Sequence, residues 1–233
     1  MCGVNALVTG ASRPVGIGQA IARRLREDGM RVFTHGWSPH DSDETTATDV
    51  EADFGEADAP ARTLAAANAA LGPLDVLVVN HARSGEGRLH ELTAEHIDAF
   101  LHENVRASLL LVKEFAEQFE GKSGRVVLLT SGAHLEPMAR EVAYAVSKGA
   151  LAVATATLAE ELADRGITVN CVNPGPTDTG WGLAAMDPSP RMPFGRWGEP
   201  DDAARLVSWL CSDESRWVTG QVINSEGGFR RWA

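Results

Sequence analysis

The chain has 233 residues, of which 44% are hydrophobic, and it carries 21 basic against 32 acidic residues, a net charge of −11. This length suits one α/β domain with a sizeable core, and the acidic balance argues against nucleic acid or an anionic membrane as the main partner. No apolar run comes close to the roughly 20 residues of a membrane span, and no signal segment opens the sequence. We therefore expect a protein that does not insert into a membrane.

The three cysteines, Cys2, Cys171 and Cys211, are odd in number and widely spaced. They form neither a pattern of metal ligands nor a disulfide framework. The sequence therefore predicts free thiols, a cytoplasmic location and no metal site.

A glycine-rich loop follows the first predicted strand. The apolar run at residues 4–8 leads into a loop with glycines at positions 10, 16 and 18, and a helical pattern then extends to Asp28-Gly29. Strand, loop and helix in this order favour a site where the pyrophosphate of a dinucleotide meets the amide groups of a helix N-terminus. Such a loop alone is also typical of an ordinary turn.

The second predicted strand, residues 30–35, has no acidic residue at its end, where dinucleotide-binding folds that prefer NAD bind the ribose 2′-hydroxyl. The next acid is Asp41, whereas Arg13 in the glycine-rich loop could reach a 2′-phosphate. We therefore expect NADP(H) to be favoured over NAD(H), although Arg13 is alternatively a solvated loop charge. A third strand is predicted over residues 50–54, with Asp53 placed to hold the adenine amine.

Polar residues follow the next predicted strand and interrupt the next predicted helix. After a helix at residues 57–71, the apolar strand at residues 75–80 leads into Asn80-His81-Ala82, at the carboxyl edge of the sheet where ligands bind. One long helix is predicted over residues 93–119, and Asn104 lies inside it. Asparagine can bend or interrupt a helix, but the commoner alternative is an exposed polar side chain.

Tyr144 is the only tyrosine, and Lys148 stands four residues after it on a helix predicted over residues 142–165. This spacing places both side chains on one face, where an ammonium group favours the phenolate of a group whose pKa is otherwise about 10. Ser131 ends the strand predicted at residues 124–131. A serine hydroxyl and a lysine-tuned phenol can move a proton to or from a carbonyl oxygen. The alternative is a half-buried ring beside a solvated amine.

The last third of the chain is predicted to contain a strand at residues 167–172, a helix at 199–210 and a strand at 220–224. The turn at residues 173–179, which contains Pro174, Gly175, Thr177 and Thr179, would frame the nicotinamide side of the crevice. Residues 180–198 are apolar and contain three prolines without a strand pattern, which predicts a mobile lid over a substrate. Small alanine side chains along the helix at 142–165 would suit packing against a symmetry mate.

Taken in order, these motifs resemble those of the short-chain dehydrogenase/reductase family over essentially the whole chain. The matching positions are the glycine-rich loop, Asn80, Asn104, Ser131 with Tyr144-x-x-x-Lys148, and Asn173-Pro174-Gly175 ahead of Thr179. The resemblance implies a single domain over residues 1–233, of α/β class. Its expected core is a Rossmann-type, doubly wound parallel sheet of about seven strands with helices on both faces.

The resemblance also implies roles for individual residues. Tyr144 would be the general acid in reduction, Ser131 would hold and polarise the carbonyl oxygen, and Asn104 would position a water that links Lys148 to solvent. Lys148 would lower the pKa of the tyrosine and bind the nicotinamide ribose. The cofactor contacts that it implies are Gly10, Ser12, Arg13, Gly16, Ile17, Gly18, Asp53, Phe54, Asn80, His81, Ala82, Tyr144, Lys148, Pro174, Gly175, Thr177 and Thr179.

The chain departs from the family pattern at two places. Five residues separate Gly10 from Gly16, which is similar to the enoyl-reductase branch, but that branch has six residues between its tyrosine and lysine where this chain has three, so enoyl reduction is not expected. His81 and Ala82 replace the usual residues after Asn80, and His81 is either a cofactor contact or a wall of the site. His134 either touches substrate or is a surface histidine.

The expected function is NADP-dependent oxidoreduction of a carbonyl or alcohol substrate by a homotetramer. The nearest family activity is reduction of a 3-oxoacyl chain on acyl carrier protein. The charge of −11 argues mildly against that acidic partner, although Arg83, Arg88, Arg106 and Arg140 could form a local basic patch. A small free ketone, a sugar or a steroid-like molecule remains open as the substrate. The alternative is a dinucleotide-sensing regulatory protein without catalysis, although relatives of that kind commonly lose the tyrosine or the lysine.

Overall fold

The computed structural model describes residues 3–37, 45–180, 183–188 and 190–232. Cys2, Asp41 and three positions of the expected lid, 181, 182 and 189, lie outside the described residues.

Seven parallel strands form one sheet in the order β3-β2-β1-β4-β5-β6-β7. The strands are β1 (Asn5–Val8), β2 (Arg31–Gly36), β3 (Val50–Glu51), β4 (Val76–Val79), β5 (Gly124–Leu129), β6 (Ile167–Asn173) and β7 (Val222–Asn224). β1, β4 and β5 are buried along their whole length, as expected of strands covered on both faces. The chain leaves β1 towards β2 and later returns to its other side at β4, so a crevice opens beyond the carboxyl ends of β1 and β4.

Helices cover both faces of this sheet. The α-helices are α1 (Ile17–Glu27), α2 (Ala59–Leu71), α3 (Ala94–Phe100), α4 (Ala107–Gln118), α5 (Val142–Leu162) and α6 (Pro200–Leu210). One core cluster joins α2, α4 and α5 to the sheet around Leu77 and Phe115, and the other joins α1 and α6 around Val78, Ile21 and Leu210. The expected doubly wound Rossmann-type sheet is confirmed.

Two elements differ from the sequence-based expectation. β3 ends at Glu51 rather than at residue 54, because the Asp53 carboxylate accepts a hydrogen bond from Gly55 N at 2.7 Å and the chain turns there. The single helix expected over residues 93–119 is three segments, since a π-helix at Leu101–Arg106 separates α3 from α4. Asn104 lies in this π-helix, where its side chain is used for tertiary contacts.

The segment Val142–Arg165 is long and apolar enough, by length and composition, to cross a membrane, so the expectation that no such run exists is wrong. In the structure α5 packs against β5, β6 and the π-helix. Its Lys148 is buried at 2% exposure beneath the sheet edge. The buried third of this apolar stretch therefore serves the core of a layered α/β domain, while Val146 and Val153 on its outer face are exposed.

Candidate active site

The glycine-rich loop packs so closely that two of its positions admit no side chain. Gly10 has φ +69°, and a Cβ there would lie 2.7 Å from His81 Cα. A Cβ on Gly18 would lie 2.2 Å from the Gly10 carbonyl oxygen. Gly16 precedes the first residue of α1, so the loop delivers the backbone directly to a helix N-terminus. This cradle fits the pyrophosphate of a dinucleotide, which needs close backbone approach and unpaired amide donors.

A cavity of about 360 Å³ lies over this loop. It is bordered by the ends of β1, β2 and β4, by the residues after β3, and by Tyr144 and Thr179 at its far end. Of the expected cofactor contacts, the residues that line it are Gly10, Ser12, Arg13, Gly16, Ile17, Phe54, Asn80, His81, Ala82, Tyr144 and Thr179. Gly18, Asp53 and Lys148 do not line it, and their expected contacts with the cofactor stay predictions.

An aromatic wall closes one side of this cavity; Phe54 and His81 were expected there, whereas His35 was missed by the sequence analysis. His35, at the end of β2, stacks on Phe54 with ring centroids 4.0 Å apart, and Phe54 meets His81 edge-on at 4.4 Å. His35 Nε2 lies 3.0 Å from the Ala52 carbonyl oxygen, and Gly10 N donates to His35 Nδ1 at 3.4 Å. Burial lowers the pKa of His35 to about 4, so the ring is neutral and steadies the glycine-rich loop. The sequence offered one signal for this role: His35 stands at the end of β2, the position where an acidic residue would have bound the ribose 2′-hydroxyl.

His81 belongs to the wall of the site. Its Nδ1 lies 2.9 Å from Thr9 Oγ1 and its Nε2 lies 2.9 Å from the Glu103 carbonyl oxygen, so both ring nitrogens have protein partners. Burial holds the pKa of His81 well below its usual value. Asn80 has a comparable bracing role, because its Nδ2 donates to the carbonyl oxygens of Thr9 and Gly10 at 3.1 and 2.9 Å.

A second cavity, of about 650 Å³, lies beside Ser131. Ile17, Tyr144 and Thr179 line both cavities, so the two form one continuous crevice with the phenol at their junction. Ser131 Oγ accepts a hydrogen bond from Ala133 N at 3.3 Å and also hydrogen-bonds the Tyr144 side chain. The serine and tyrosine predicted to act together are therefore side by side.

The pKa values of Tyr144 and Lys148 differ from the expectation that the lysine lowers the pKa of the phenol. Lys148 Nζ donates to the Leu129 carbonyl oxygen at 2.9 Å, and burial lowers the pKa of Lys148 to about 8. Burial and then the negative charge of Glu141 raise the pKa of Tyr144 to about 12, against a smaller opposing effect of the Ser131 hydrogen bond. In this structure the phenol is therefore held in its protonated form.

Asn104 is fully buried, so the alternative of an exposed polar residue is wrong. Its Nδ2 donates to the Arg83 carbonyl oxygen at 3.0 Å and to Ser147 Oγ at 2.9 Å, while its Oδ1 accepts from Arg83 N at 2.6 Å. Ser147 in turn donates to the Tyr144 carbonyl oxygen at 2.8 Å. Asn104 thus joins the loop after β4 to the helix that carries Tyr144, and its expected role with a water stays a prediction.

The turn after β6 forms the floor of the second cavity. Pro174, Gly175 and Thr177 line it, and Gly175, with φ +68°, lies against Glu226, whose Cα a Cβ would meet at 2.9 Å. Asn173 Nδ2 donates to Glu226 Oε1 at 2.6 Å. Of the turn residues expected around a nicotinamide, Thr179 therefore lies at the junction of the two cavities, whereas the other three border only the second of them.

The tail after β7 contributes residues that the sequence analysis missed. Glu226, Phe229 and Arg231 line the second cavity, together with Arg191 of the expected lid. The guanidinium groups of Arg191 and Arg231 each lie 5.5 Å from the Phe229 ring centroid. The contact between Arg191 and Phe229 joins two segments far apart in sequence, so no local pattern indicated it.

His134 is exposed, lines neither cavity and has its Nδ1 3.2 Å from the Ser131 carbonyl oxygen, which favours the surface alternative. Within the described part of the expected lid, Met192 is buried and Trp197 Nε1 donates to the Met186 carbonyl oxygen at 3.1 Å. The mobility of this segment stays a prediction.

Comparison with known proteins agrees with the fold. A family model described as enoyl-(acyl carrier protein) reductase matches residues 10–230. An uncharacterized oxidoreductase of Bacillus subtilis is 41% identical, over 97% of this chain and 96% of its own. Among solved structures, a short chain dehydrogenase from Burkholderia cenocepacia in complex with NADP is 35% identical with a TM-score of 0.85, covering 97% of this chain and 98% of its own.

A blue fluorescent protein from a metagenomic library, in complex with NADPH, is 32% identical with a TM-score of 0.89, again covering 97% and 98% of the two chains. The chain belongs to the short-chain dehydrogenase/reductase family. It is accordingly an NAD(P)-dependent oxidoreductase of that family.

Proposed function

We propose that this protein uses NADP(H) to reduce a carbonyl group, or to oxidise the corresponding alcohol. The observation that carries the proposal is the position of Tyr144, which lines both the cavity over the glycine-rich loop and the cavity beside Ser131. A proton donor therefore stands where a cofactor and a substrate would meet. When bound, the nicotinamide supplies or accepts the hydride.

The residues around the first cavity suit this cofactor. The Gly10 to Gly18 cradle and the N-terminus of α1 would hold the pyrophosphate, and Arg13 lines the same cavity near the end of β2. Arg13 would bind the 2′-phosphate that distinguishes NADP from NAD. The NADP and NADPH complexes of two relatives support this preference.

The catalytic step depends on two hydroxyl groups. Ser131 donates a hydrogen bond to the carbonyl oxygen and stabilises the negative charge that develops there. Tyr144 then transfers its proton to that oxygen as general acid. The raised pKa of Tyr144, about 12, means that the phenol carries its proton at neutral pH, the form that a proton donor in carbonyl reduction requires. Lys148, buried behind the phenol, would bind the ribose hydroxyls and help to return the proton.

A free ketone is our proposed substrate in preference to an acyl chain on a carrier protein. Three of the four arginines of the expected basic patch have partners within the chain: Arg83 pairs with Glu103 at 2.7 Å, Arg140 with Glu86 at 2.5 Å, and Arg106 donates to the Gly55 carbonyl oxygen at 2.5 Å. Little basic surface is then left to attract an acidic carrier protein to a chain of charge −11. The three-residue spacing from Tyr144 to Lys148 supports carbonyl rather than enoyl reduction.

A homotetramer in the cytoplasm, without nucleic acid or membrane as a partner, completes the proposal. Val146 and Val153 on the outer face of α5 are 59% and 79% exposed, and Gly149 between them has open space around it. An apolar, closely approachable helix face suits pairing with the same face of a second copy. Light scattering of the purified protein tests the subunit number.

The test of the proposed function is a fluorescence titration with NADPH and NADH, followed by NADPH consumption with a panel of ketones. Tighter binding of NADPH together with turnover of a ketone is expected. A preference for NADH would refute the role of Arg13. Binding without turnover of any ketone would instead support the non-catalytic, dinucleotide-sensing alternative.

A further inference from the structure

Glu141 occupies a defined position at the mouth of the substrate cavity. It precedes the first residue of α5 and lines the second cavity together with Ser131 and Tyr144. Its backbone is fixed on both sides: Glu141 N donates to the Met138 carbonyl oxygen at 3.0 Å, its own carbonyl oxygen accepts from Ala145 N at 2.8 Å, and it bridges to Gly87. The backbone of Glu141 is therefore fixed three residues before Tyr144, and both residues line the same cavity.

This carboxylate differs from the other acids of the cavity. Across residues 3–37, 45–180, 183–188 and 190–232, it has no ion pair, and it does not cap α5. The other three acidic side chains that line the cavity are each paired with a guanidinium group: Glu86 with Arg140, Glu136 with Arg191, and Glu226 with Arg231. The cavity thus presents one carboxylate whose hydrogen-bonding capacity is unused.

Burial and then the negative charge of Glu86 raise the pKa of Glu141, and no basic group neutralises its carboxylate among the residues that the structure describes. Glu86 faces it from the loop after β4, and Arg140, although adjacent in sequence, is engaged by Glu86. Tyr144 faces it from α5, and the charge of Glu141 opposes ionisation of that phenol. The remaining charged groups of the cavity form the Glu136–Arg191 and Glu226–Arg231 pairs. Glu141 is therefore the acidic side chain of this cavity lining that lacks a guanidinium partner.

We propose that Glu141 is a specificity-determining residue of the substrate cavity, whose carboxylate accepts a hydrogen bond from an ammonium or hydroxyl group of the ketone and disfavours a ketone that carries a carboxylate. The inference rests on the proposed function, since it names the substrate class of the same cavity. A buried hydrogen bond to a charged acceptor is strong, whereas two carboxylates in one cavity repel. The preferred substrates are small hydroxy- or amino-ketones.

The test compares two small ketones of opposite charge, aminoacetone and pyruvate, with NADPH as the reductant. The wild-type protein is expected to have the higher kcat/KM for aminoacetone. The Glu141→Gln substitution keeps the size of the side chain and removes its charge, so the ratio should shift towards pyruvate by at least about tenfold. Glu161→Gln removes one charge from the exposed far end of α5 and should leave the ratio unchanged.

A second readout needs neither cofactor nor substrate. Tyr144 is the only tyrosine of the chain, so phenolate absorbance in the folded protein reports its ionisation alone. The wild-type phenol should stay largely protonated at about pH 10.5, where a free phenol is mostly ionised, and Glu141→Gln should ionise at lower pH. Circular dichroism at each pH confirms that the protein remains folded, and Glu161→Gln serves again as the control.

The outcomes separate this inference from the proposed function. An unchanged substrate ratio in Glu141→Gln, or a wild-type preference for pyruvate, would overturn the role of Glu141 while leaving the oxidoreductase intact. Wild-type protein that reduces neither ketone would also overturn it. The proposed function itself fails only if no ketone of the wider panel consumes NADPH.

Discussion

Replacing Gly18 by alanine tests whether the close contact of α1 with the glycine-rich loop holds the cofactor cradle in shape. The new Cβ would lie 2.2 Å from the Gly10 carbonyl oxygen and 2.5 Å from Asn80 Nδ2. Both distances are far below van der Waals contact, and the first obstacle is backbone. The loop must therefore move away from α1, and the hydrogen bond from Asn80 to the Gly10 carbonyl oxygen is disrupted.

The cost follows from these contacts. Overpacking at one site costs about 1–3 kcal/mol, and the lost hydrogen bond about 1 kcal/mol more. The better helix propensity of alanine offsets at most about 1 kcal/mol. A net loss of about 1–3 kcal/mol in a domain of this size lowers the Tm by about 2–12 °C. Because the displaced Gly10 carbonyl is part of the cradle, affinity for NADPH should fall by at least about tenfold.

Thermal unfolding and NADPH fluorescence titration measure both effects in the same protein. Gly149→Ala is the matched control, since Gly149 is also helical but a Cβ there meets nothing within 4 Å. That variant should keep its NADPH affinity, because Gly149 lines neither cavity. If Gly18→Ala melts and binds NADPH as the wild type does, the loop is not constrained by this contact and the argument is refuted.

Three further predictions concern single side chains. Tyr144→Phe should abolish ketone reduction while NADPH binding stays nearly unchanged. Turnover by the variant at the wild-type rate would show that the phenol is not the proton donor. Arg13→Ala should weaken NADPH binding more than NADH binding, and equal weakening of both would contradict a contact with the 2′-phosphate. The unfolded chain protonates His35 near pH 6.5 but the folded chain only near 4, so acidification across this window should cost the fold up to about 3 kcal/mol. Denaturant titrations at both ends of that window should show a smaller loss for His35→Gln than for the wild type.

The fold was largely predictable because buried parallel strands leave a simple pattern. The apolar runs located β4 and β5, and Gly29 located the end of α1, each to within a few residues. β3 was overextended, because the apolar Phe54 continues the pattern while its side chain serves the cofactor cavity instead of the sheet. The π-helix was missed because its cause is tertiary: Asn104 bonds the Arg83 backbone twenty-one residues away in sequence.

The site was predictable where spacing along one element decides proximity. Tyr144 and Lys148 share a helix, and Ser131 follows β5, which lies beside β4 in the sheet. The ionisation of Tyr144 was not predictable in the same way. It depends on depth of burial and on Glu141, and the Lys148 ammonium is directed to a strand carbonyl that no helix spacing reveals.

The loop after β4 borders both cavities, since Arg83 and Ser84 line the first and Glu86 lines the second. It is fastened at two points, by Asn104 to the Arg83 backbone and by Gly87 N to the Arg140 carbonyl oxygen at 2.6 Å. The cofactor cavity and the substrate cavity are thus both bordered by this one loop. An engineer who widens one chamber through this loop reshapes the other, so substrate scope and cofactor affinity cannot be optimised there as independent traits.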